Sequence, residues 1–388
     1  MTGDAASALD VLHALDRAAR DRGVPGPAAL IGDWADADAV IAPSIRLTAG
    51  TPPLDRPDDF WFGALSFPVR VDESPLPATV GGRTDGILRL VDGAWRWTSA
   101  TGAPQPDWVT DALTAHVHRG DWHADWTVPD RDQHVHAVQE CRDAIAAGEV
   151  YQACVCTRFR GTLHGRPLDF FSDIAAATAP AKSAWLSGAW GAIASFSPES
   201  FLDRRGGRVT SSPIKGTLPA AADPALLAAS TKDVAENVMI VDLVRNDLGR
   251  VARVGAVTVP DLLTVVGAPG VWHLVSTVAA ELADGVGNTA LLDATFPPAS
   301  VTGTPKIRAQ ELLAGWEADA RGVYCGAVGI AGPDGLLDLN VAIRTVAVTG
   351  DNTLTLGVGG GITIDSDPAA EWQECLDKAA SIVGFQPR

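Results

Sequence analysis

Lysine is almost missing from this chain. Its 388 residues include 30 basic side chains, yet only five of them are Lys: Lys182, Lys215, Lys232, Lys306 and Lys378. Tyrosine is scarcer still, with Tyr151 and Tyr324 alone. Basic charge as a whole runs short, since 47 acidic residues leave a net charge of −17. A nucleic-acid binder neutralises phosphates with a basic face, so that class is disfavoured. An anionic ligand would have to be caught at a local cationic or metal site. No apolar run reaches the ~18 residues that a membrane-spanning helix needs, so no membrane role is expected. The first residues lack a basic start followed by an apolar core, and so do not read as a secretory signal. Leu9, Leu12, Leu15 and Ala19 instead fall near one face of an amphipathic helix. The five cysteines are odd in number and scattered, with no CxxC pair. That excludes a zinc ribbon or disulfide framework and leads us to expect a cytoplasmic protein. Cys154 and Cys156, two apart on a strand, share a face and read as buried small hydrophobes.

What is present falls into two stretches. Residues 1–120 are rich in Pro, Asp and Trp and read as a shorter N-terminal subdomain; residues 121–388 form a larger domain. The softest boundary is the polar, proline-bearing segment from Thr101 to Asp130. His116, His118 and His123 in this segment show no carboxylate spacing that would make a metal site, and read as surface residues. Beyond His134 the texture changes. HAVQECRDAIAAGEV has helical spacing and stops at Gly148, and YQACVCTRFRG reads as a buried strand. Residues 225–251 carry one long helical pattern, followed by short strands. The last strands form a meander, and PAAEWQECLDKAASIVG is a closing helix. Strands in runs, without strict βαβ alternation, predict an α+β fold with large, mainly antiparallel β-sheets.

Three patterns carry chemistry. Asp233 and Glu236 are three apart on one predicted helix, and Glu371 and Glu374 on another, so each pair shares a helix face. Turned to a common point, two such helices make an oxygen-rich site suited to Mg²⁺; turned outward, they are solvated acids beside apolar runs. GVGGGITIDS places glycines at 357, 359, 360 and 361. It matches no nucleotide-binding loop. Glycines there allow a ligand close to the backbone, with Arg344 and Tyr324 on the preceding strands as partners for a carboxylate. A bulge or tight turn would need the same glycines. Finally, Lys215 lies in the apolar turn SPIKGT, and Glu199 in SFSPES. A dry lysine can be a nucleophile, and a nearby carboxylic acid can protonate a leaving group.

Taken together, YQ at 151–152, SFSPESFL, PIKGT, KDVAENVMIVDLVRNDLGRV, VWHLVSTV, PPASVTGTPKIRAQELL, GVYCGAVG, LNVAIRT, GGGITIDS and EWQECLDKA resemble the chorismate-utilising enzymes over about residues 130–388. That family includes anthranilate synthase component I, aminodeoxychorismate synthase component I and the isochorismate and salicylate synthases. The resemblance implies two large antiparallel sheets packed as a sandwich with flanking helices, the larger domain being catalytic. It further implies Mg²⁺ held directly by Glu236 and Glu374, with Asp233 and Glu371 as the second, water-mediated pair. Tyr324, Arg344, Gly359 and Gly361 match positions that hold the enolpyruvyl carboxylate of chorismate. His273 matches an active-site histidine, Glu199 the general acid/base, and Ser300 and Lys306 fall at substrate-site and motif positions.

Gln152 stands where water-using members carry Lys, and so resembles the ammonia-using ones. Lys215 in PIKGT resembles the aminodeoxychorismate-forming type, where it is the nucleophile; anthranilate-forming members usually read PIAGT. The implied reaction is amination of chorismate at C4, on the route to 4-aminobenzoate and folate. The ammonia would come from a separate glutamine amidotransferase subunit, because the chain shows no amidotransferase motif. The alternatives are anthranilate or 2-amino-2-deoxyisochorismate formation, or a non-catalytic chorismate-binding homologue. Cys154 departs from the family, which often has Asn there, as does Thr304, where Ala is common.

Overall fold

The computed structural model describes residues 3–386, apart from 51, 53, 56, 57, 116 and 117; His116 therefore lies outside the described residues. Two large β-sheets, of 11 and 10 strands, form the molecule's frame. Every strand pairing among the described residues is antiparallel, as the runs of strands predict. Alternation along each strand sends side chains to opposite faces. In the strand Ala28–Trp34, Leu30 joins an apolar cluster with Val40, Ala184, Leu186, Phe62, Val328 and Ile330, drawn from both sheets. Its neighbours Ala29 and Ile31 join a second cluster with Leu12, Phe170 and Phe171. Those three come from the flanking helices Gly3–Arg22 and Pro167–Thr178. A third cluster packs Ile240 and Val244 of a further helix against Val278 and Leu339.

The first 120 residues supply strands to both sheets. Ala28–Trp34 pairs with Lys182–Gly188 in the larger sheet, and Phe60–Leu65 pairs with Ala327–Gly332 in the other. The long helical pattern at 225–251 resolves into two helices, Ala225–Ala229 and Thr231–Gly249. Ser230 breaks it: its backbone is extended, and its side chain accepts a hydrogen bond from the Asp233 N–H, the local competition that makes serine a helix start. The strands that follow are not short. Ala252–Ala268 and Val271–Leu282 form one long hairpin, which tolerates its Gly and Pro residues through repeated register shifts.

Lys182 has a structural task. It is buried at 4% exposure, and its Nζ lies 2.7 Å from Asp338 Oδ1 and 4.6 Å from the Trp34 ring centroid. Asp338, fully buried, also accepts from the Ala35 N–H at 2.8 Å and from Arg205. Removing one partner of a buried pair leaves the other charge stranded. Lys182→Met should therefore destabilise the fold by about 3 kcal/mol, the low end of the usual range because Arg205 remains. Urea unfolding measures it, and an unchanged midpoint would show that the pair contributes nothing.

Candidate active site

The strand Thr353–Ile362 pairs over its whole length with Gln152–His164. Gly357, Gly359 and Gly361 share one face of it. A Cβ at 357 would meet the Tyr324 ring at 2.2 Å, one at 359 the Cys156 Sγ at 2.6 Å, and one at 361 Glu236 Oε2 at 3.0 Å. At 359 the Val155 carbonyl is nearer still, at 2.5 Å, so the glycines are required by close approach of side chains and of the neighbouring strand. In front of them opens a cavity of about 640 Å³, within the usual range of small-molecule sites. Its lining includes Cys154, Glu199, Lys215, Asp233, Glu236, His273, Ser300, Tyr324, Arg344, Gly359, Gly361 and Glu374.

Lys215 belongs to the strand Ile214–Pro219, where the expectation was a turn. The ladder slips between Lys215 and Thr217, and Gly216 takes a left-handed φ of 77°. Lys215 Nζ donates to the Ser300 carbonyl at 2.9 Å. Glu199 is buried, and desolvation pushes its carboxyl up to about 7. A hydrogen bond from Ser300 and the charge of Lys215 oppose that rise without cancelling it. Glu199 is therefore half protonated near neutral pH, as a general acid should be. His273, on Val271–Leu282, bonds through Nδ1 to Thr217 Oγ1 at 2.9 Å. Burial, then the charge of Arg344, lowers its pKa to about 4, so its ring is neutral, and its buried Nε2 has no protein partner.

Tyr324 and Arg344 are not on strands, as the sequence suggested, but in the connections around Ala327–Gly332 and Thr345–Val348. Arg344 holds a left-handed φ of 49°, a cost typical of residues fixed for function. Burial lowers its pKa, and no carboxylate among the described residues offsets it. A half-buried guanidinium in that state is an anion acceptor.

The two acidic pairs do converge, from the helices Thr231–Gly249 and Pro368–Val383. A Cβ at Gly360 would stand 2.9 Å from Glu371 Oε2 and 3.7 Å from Glu374 Oε1, and one at Gly361 3.0 Å from Glu236 Oε2, so both helices aim carboxylates at the end of the glycine strand. Lys232 ties the helices together, 3.0 Å from Glu371 Oε1 and 3.9 Å from Glu236 Oε1. Burial raises the Glu236 carboxyl above its ordinary value. It does the same to Glu374, but Lys378, Lys232 and Lys215 outweigh it and hold that carboxyl low. Glu371 Oε2 is buried with no partner. These are hard oxygen donors, and they fit Mg²⁺ in kind. They do not form a closed shell: among the described residues, no three of these oxygens lie within 4.8 Å of one another. An open set suits an ion that keeps waters and binds few protein carboxylates.

Three expected site residues do not line the cavity: Glu371, which stands behind Gly360, and Lys306 and Gln152. Lys306 donates to Asp247 at 2.5 Å and to the carbonyls of Thr295 and Pro297, so its three donors are spent on holding the chain and it does not line the cavity. Gln152 is buried with an unpartnered Oε1, but is absent from the lining, whereas Cys154 is present. Conversely, Lys232 and Lys378 face the cavity without having been singled out. Lys378 Nζ donates to the Gly359 carbonyl at 2.7 Å and pairs with Glu374 at 2.7 Å. The signal was the i,i+4 spacing of each to a metal-type glutamate.

Residues 100–384 match the family described as chorismate binding enzyme, and the chain belongs to that family. It is 38% identical over 301 residues to aminodeoxychorismate synthase component 1 of Salmonella typhimurium, covering 75% of this chain and 63% of that one. It is 39% identical over 259 residues to anthranilate synthase component 1 of Streptomyces coelicolor, covering 65% and 50%. The chain thus spans less than two thirds of these relatives' own length. Its fold is similar to that of anthranilate synthase component I from Streptococcus pneumoniae TIGR4, with a TM-score of 0.71 at 24% identity over 87% of this chain and 83% of that one.

Glu199 makes the free protein's stability depend on pH. Its folded value of about 7 exceeds the ordinary 4.5, so between these limits the fold retains a proton that the unfolded chain releases. The advantage is complete below about 4.5 and lost as pH rises through about 7. Glu199→Gln should therefore match the parent's stability near pH 5 and exceed it near pH 8, by up to about 3 kcal/mol. Thermal unfolding at both pH values checks this, and parallel pH profiles would overturn it.

Proposed function

We propose that this chain aminates chorismate at C4, giving 4-amino-4-deoxychorismate, with ammonia delivered by a glutamine amidotransferase subunit. The observation that carries the reading is that Lys215 and Glu199 line one cavity with the glycine strand, Arg344, Asp233, Glu236 and Glu374. Glu236 and Glu374 would hold Mg²⁺ directly, and Asp233 and Glu371 through water. The ion would neutralise the ring carboxylate of the substrate. Arg344 and Tyr324 would bind the enolpyruvyl carboxylate, the guanidinium as a fork and the phenol as a donor. Gly359 and Gly361 leave room for it beside the backbone.

In the chemical step, the Lys215 Nζ lone pair would form a bond to C2, both ring double bonds would shift (C1=C2 to C1=C6 and C5=C6 to C4=C5), and the C4–O bond would break. Glu199 gives its proton to the leaving hydroxyl, which departs as water. Ammonia would then bond to C4, both double bonds would return to their first positions, the C2–N bond to Lys215 would break, and Glu199 would take back a proton from the new C4 ammonium. Two such displacements place nitrogen at C4 and keep the enolpyruvyl group. Direct attack at C2 would instead lead toward anthranilate. The neutral His273 ring, with Nε2 free, is positioned as a hydrogen-bond partner for substrate.

The test is incubation with chorismate, Mg²⁺ and ammonium, followed by the lyase that converts the C4 product to 4-aminobenzoate. We expect 4-aminobenzoate; anthranilate or isochorismate would replace the reading with one of its relatives, and no turnover would leave a binding protein. Lys215→Ala should abolish C4 amination, and an undiminished rate would remove Lys215 from its role. Glu199→Gln should cut the rate by about 10²–10⁴-fold.

A further inference from the structure

Away from the cavity, the edge strand His123–Thr127 pairs with the far end of Gln152–His164. The register sets His123 opposite His164 and Asp125 opposite Thr162. Residues two apart share a face, so Asp125 stands beside His123 and diagonal to His164. The burial pattern alternates along the strand, with His123 and Asp125 both on its exposed face. The two imidazoles stack with centroids 4.3 Å apart and planes 12° from parallel. His164 Nε2 lies 3.3 Å from Asp125 Oδ2. One donor atom from each of the three residues lies within 4.8 Å of the other two.

We propose that His123, Asp125 and His164 form a surface site for Zn²⁺, separate from the carboxylates of the cavity. The ligand chemistry distinguishes the two. Two imidazole nitrogens and one carboxylate oxygen suit a borderline transition metal, whereas Mg²⁺ favours oxygen alone. Tetrahedral Zn²⁺ with Zn–N bonds of ~2.0–2.1 Å needs neighbouring donors roughly 3.3 Å apart. Small rotations of exposed side chains close that gap, and the fourth position is left to water. Among the described residues, neither imidazole has a further protein partner to fix its orientation, so affinity on the order of micromolar is expected, short of a tight structural site. The site is made by strand register: the third ligand comes from the neighbouring strand, far from His123 in sequence. A bound ion would staple the edge strand to the strand that carries Cys154 into the cavity.

The experiment is a Co²⁺ titration of the full chain, held in saturating Mg²⁺ to occupy the carboxylates, with Zn²⁺ as competitor. We expect a visible-absorption change that saturates at a single Co²⁺ per chain and is reversed by Zn²⁺. His164→Ala should weaken binding by about tenfold or more, and Asp125→Asn by less. Both residues are exposed, so the metal-free variants should unfold at the parent's temperature. Zn²⁺ should raise the unfolding temperature of the parent and not that of His164→Ala. No Co²⁺ binding in Mg²⁺-saturated protein, or equal binding in His164→Ala, would overturn the proposal.

Discussion

Everything in the cavity depends on one strand face being bare. Gly357, Gly359 and Gly361 carry no side chain, and for that reason the Tyr324 ring, the Cys156 thiol and the Glu236 carboxylate can all close on the same stretch of backbone. The strand remains rigid despite its glycines because it is hydrogen-bonded on both sides, to Gln152–His164 along its length and to Thr345–Val348 over its first part. A loop with the same glycines would offer the same space without fixing it. Here the sheet bears the entropic cost of glycine, and the helices on either side aim their carboxylates at a fixed target.

Charge is distributed with similar discipline. The cavity gathers carboxylates, and the chain answers them with three of its few lysines, Lys215, Lys232 and Lys378. The other two hold the fold: Lys182 against Asp338, and Lys306 against Asp247. Burial alone would raise both Glu199 and Glu374. The lysines divide them, leaving Glu374 below its ordinary value while Glu199 stays near 7. Two carboxylates in one cavity are thereby held in different protonation ranges, as the proposed reaction would need of a metal-binding carboxylate and a proton donor.

Much of this was legible in the sequence, and for physical reasons. The acidic pairs could be read because i,i+3 spacing fixes a shared helix face whatever the helix packs against. The antiparallel sheets could be read because strands came in runs, without strict βαβ alternation. What failed was anything set by tertiary contact. Lys306 looks like a site residue until Asp247 and two carbonyls are seen around it. Tyr324 and Arg344 fall in apolar runs that read as strand, yet both sit in turns, Arg344 at a positive φ that no propensity announces. The break at Ser230 was in principle readable, since a serine three residues before an acid, amid alanines, is a cap as much as a helix residue. His164 could not be joined to His123 by spacing, because only strand register places them together.

The interleaving of the first 120 residues with the rest governs how the chain can assemble. Ala29 lies against Trp185, and Phe62 against Ile330. During synthesis these early strands leave the ribosome with one partner each not yet made, and both sheets can close only when late segments arrive. Such remote pairing makes for slow folding and for edges that stay open meanwhile. The chain's large acidic surplus would then act before any chemistry does, keeping half-built sheets apart by repulsion until the last strands slot in.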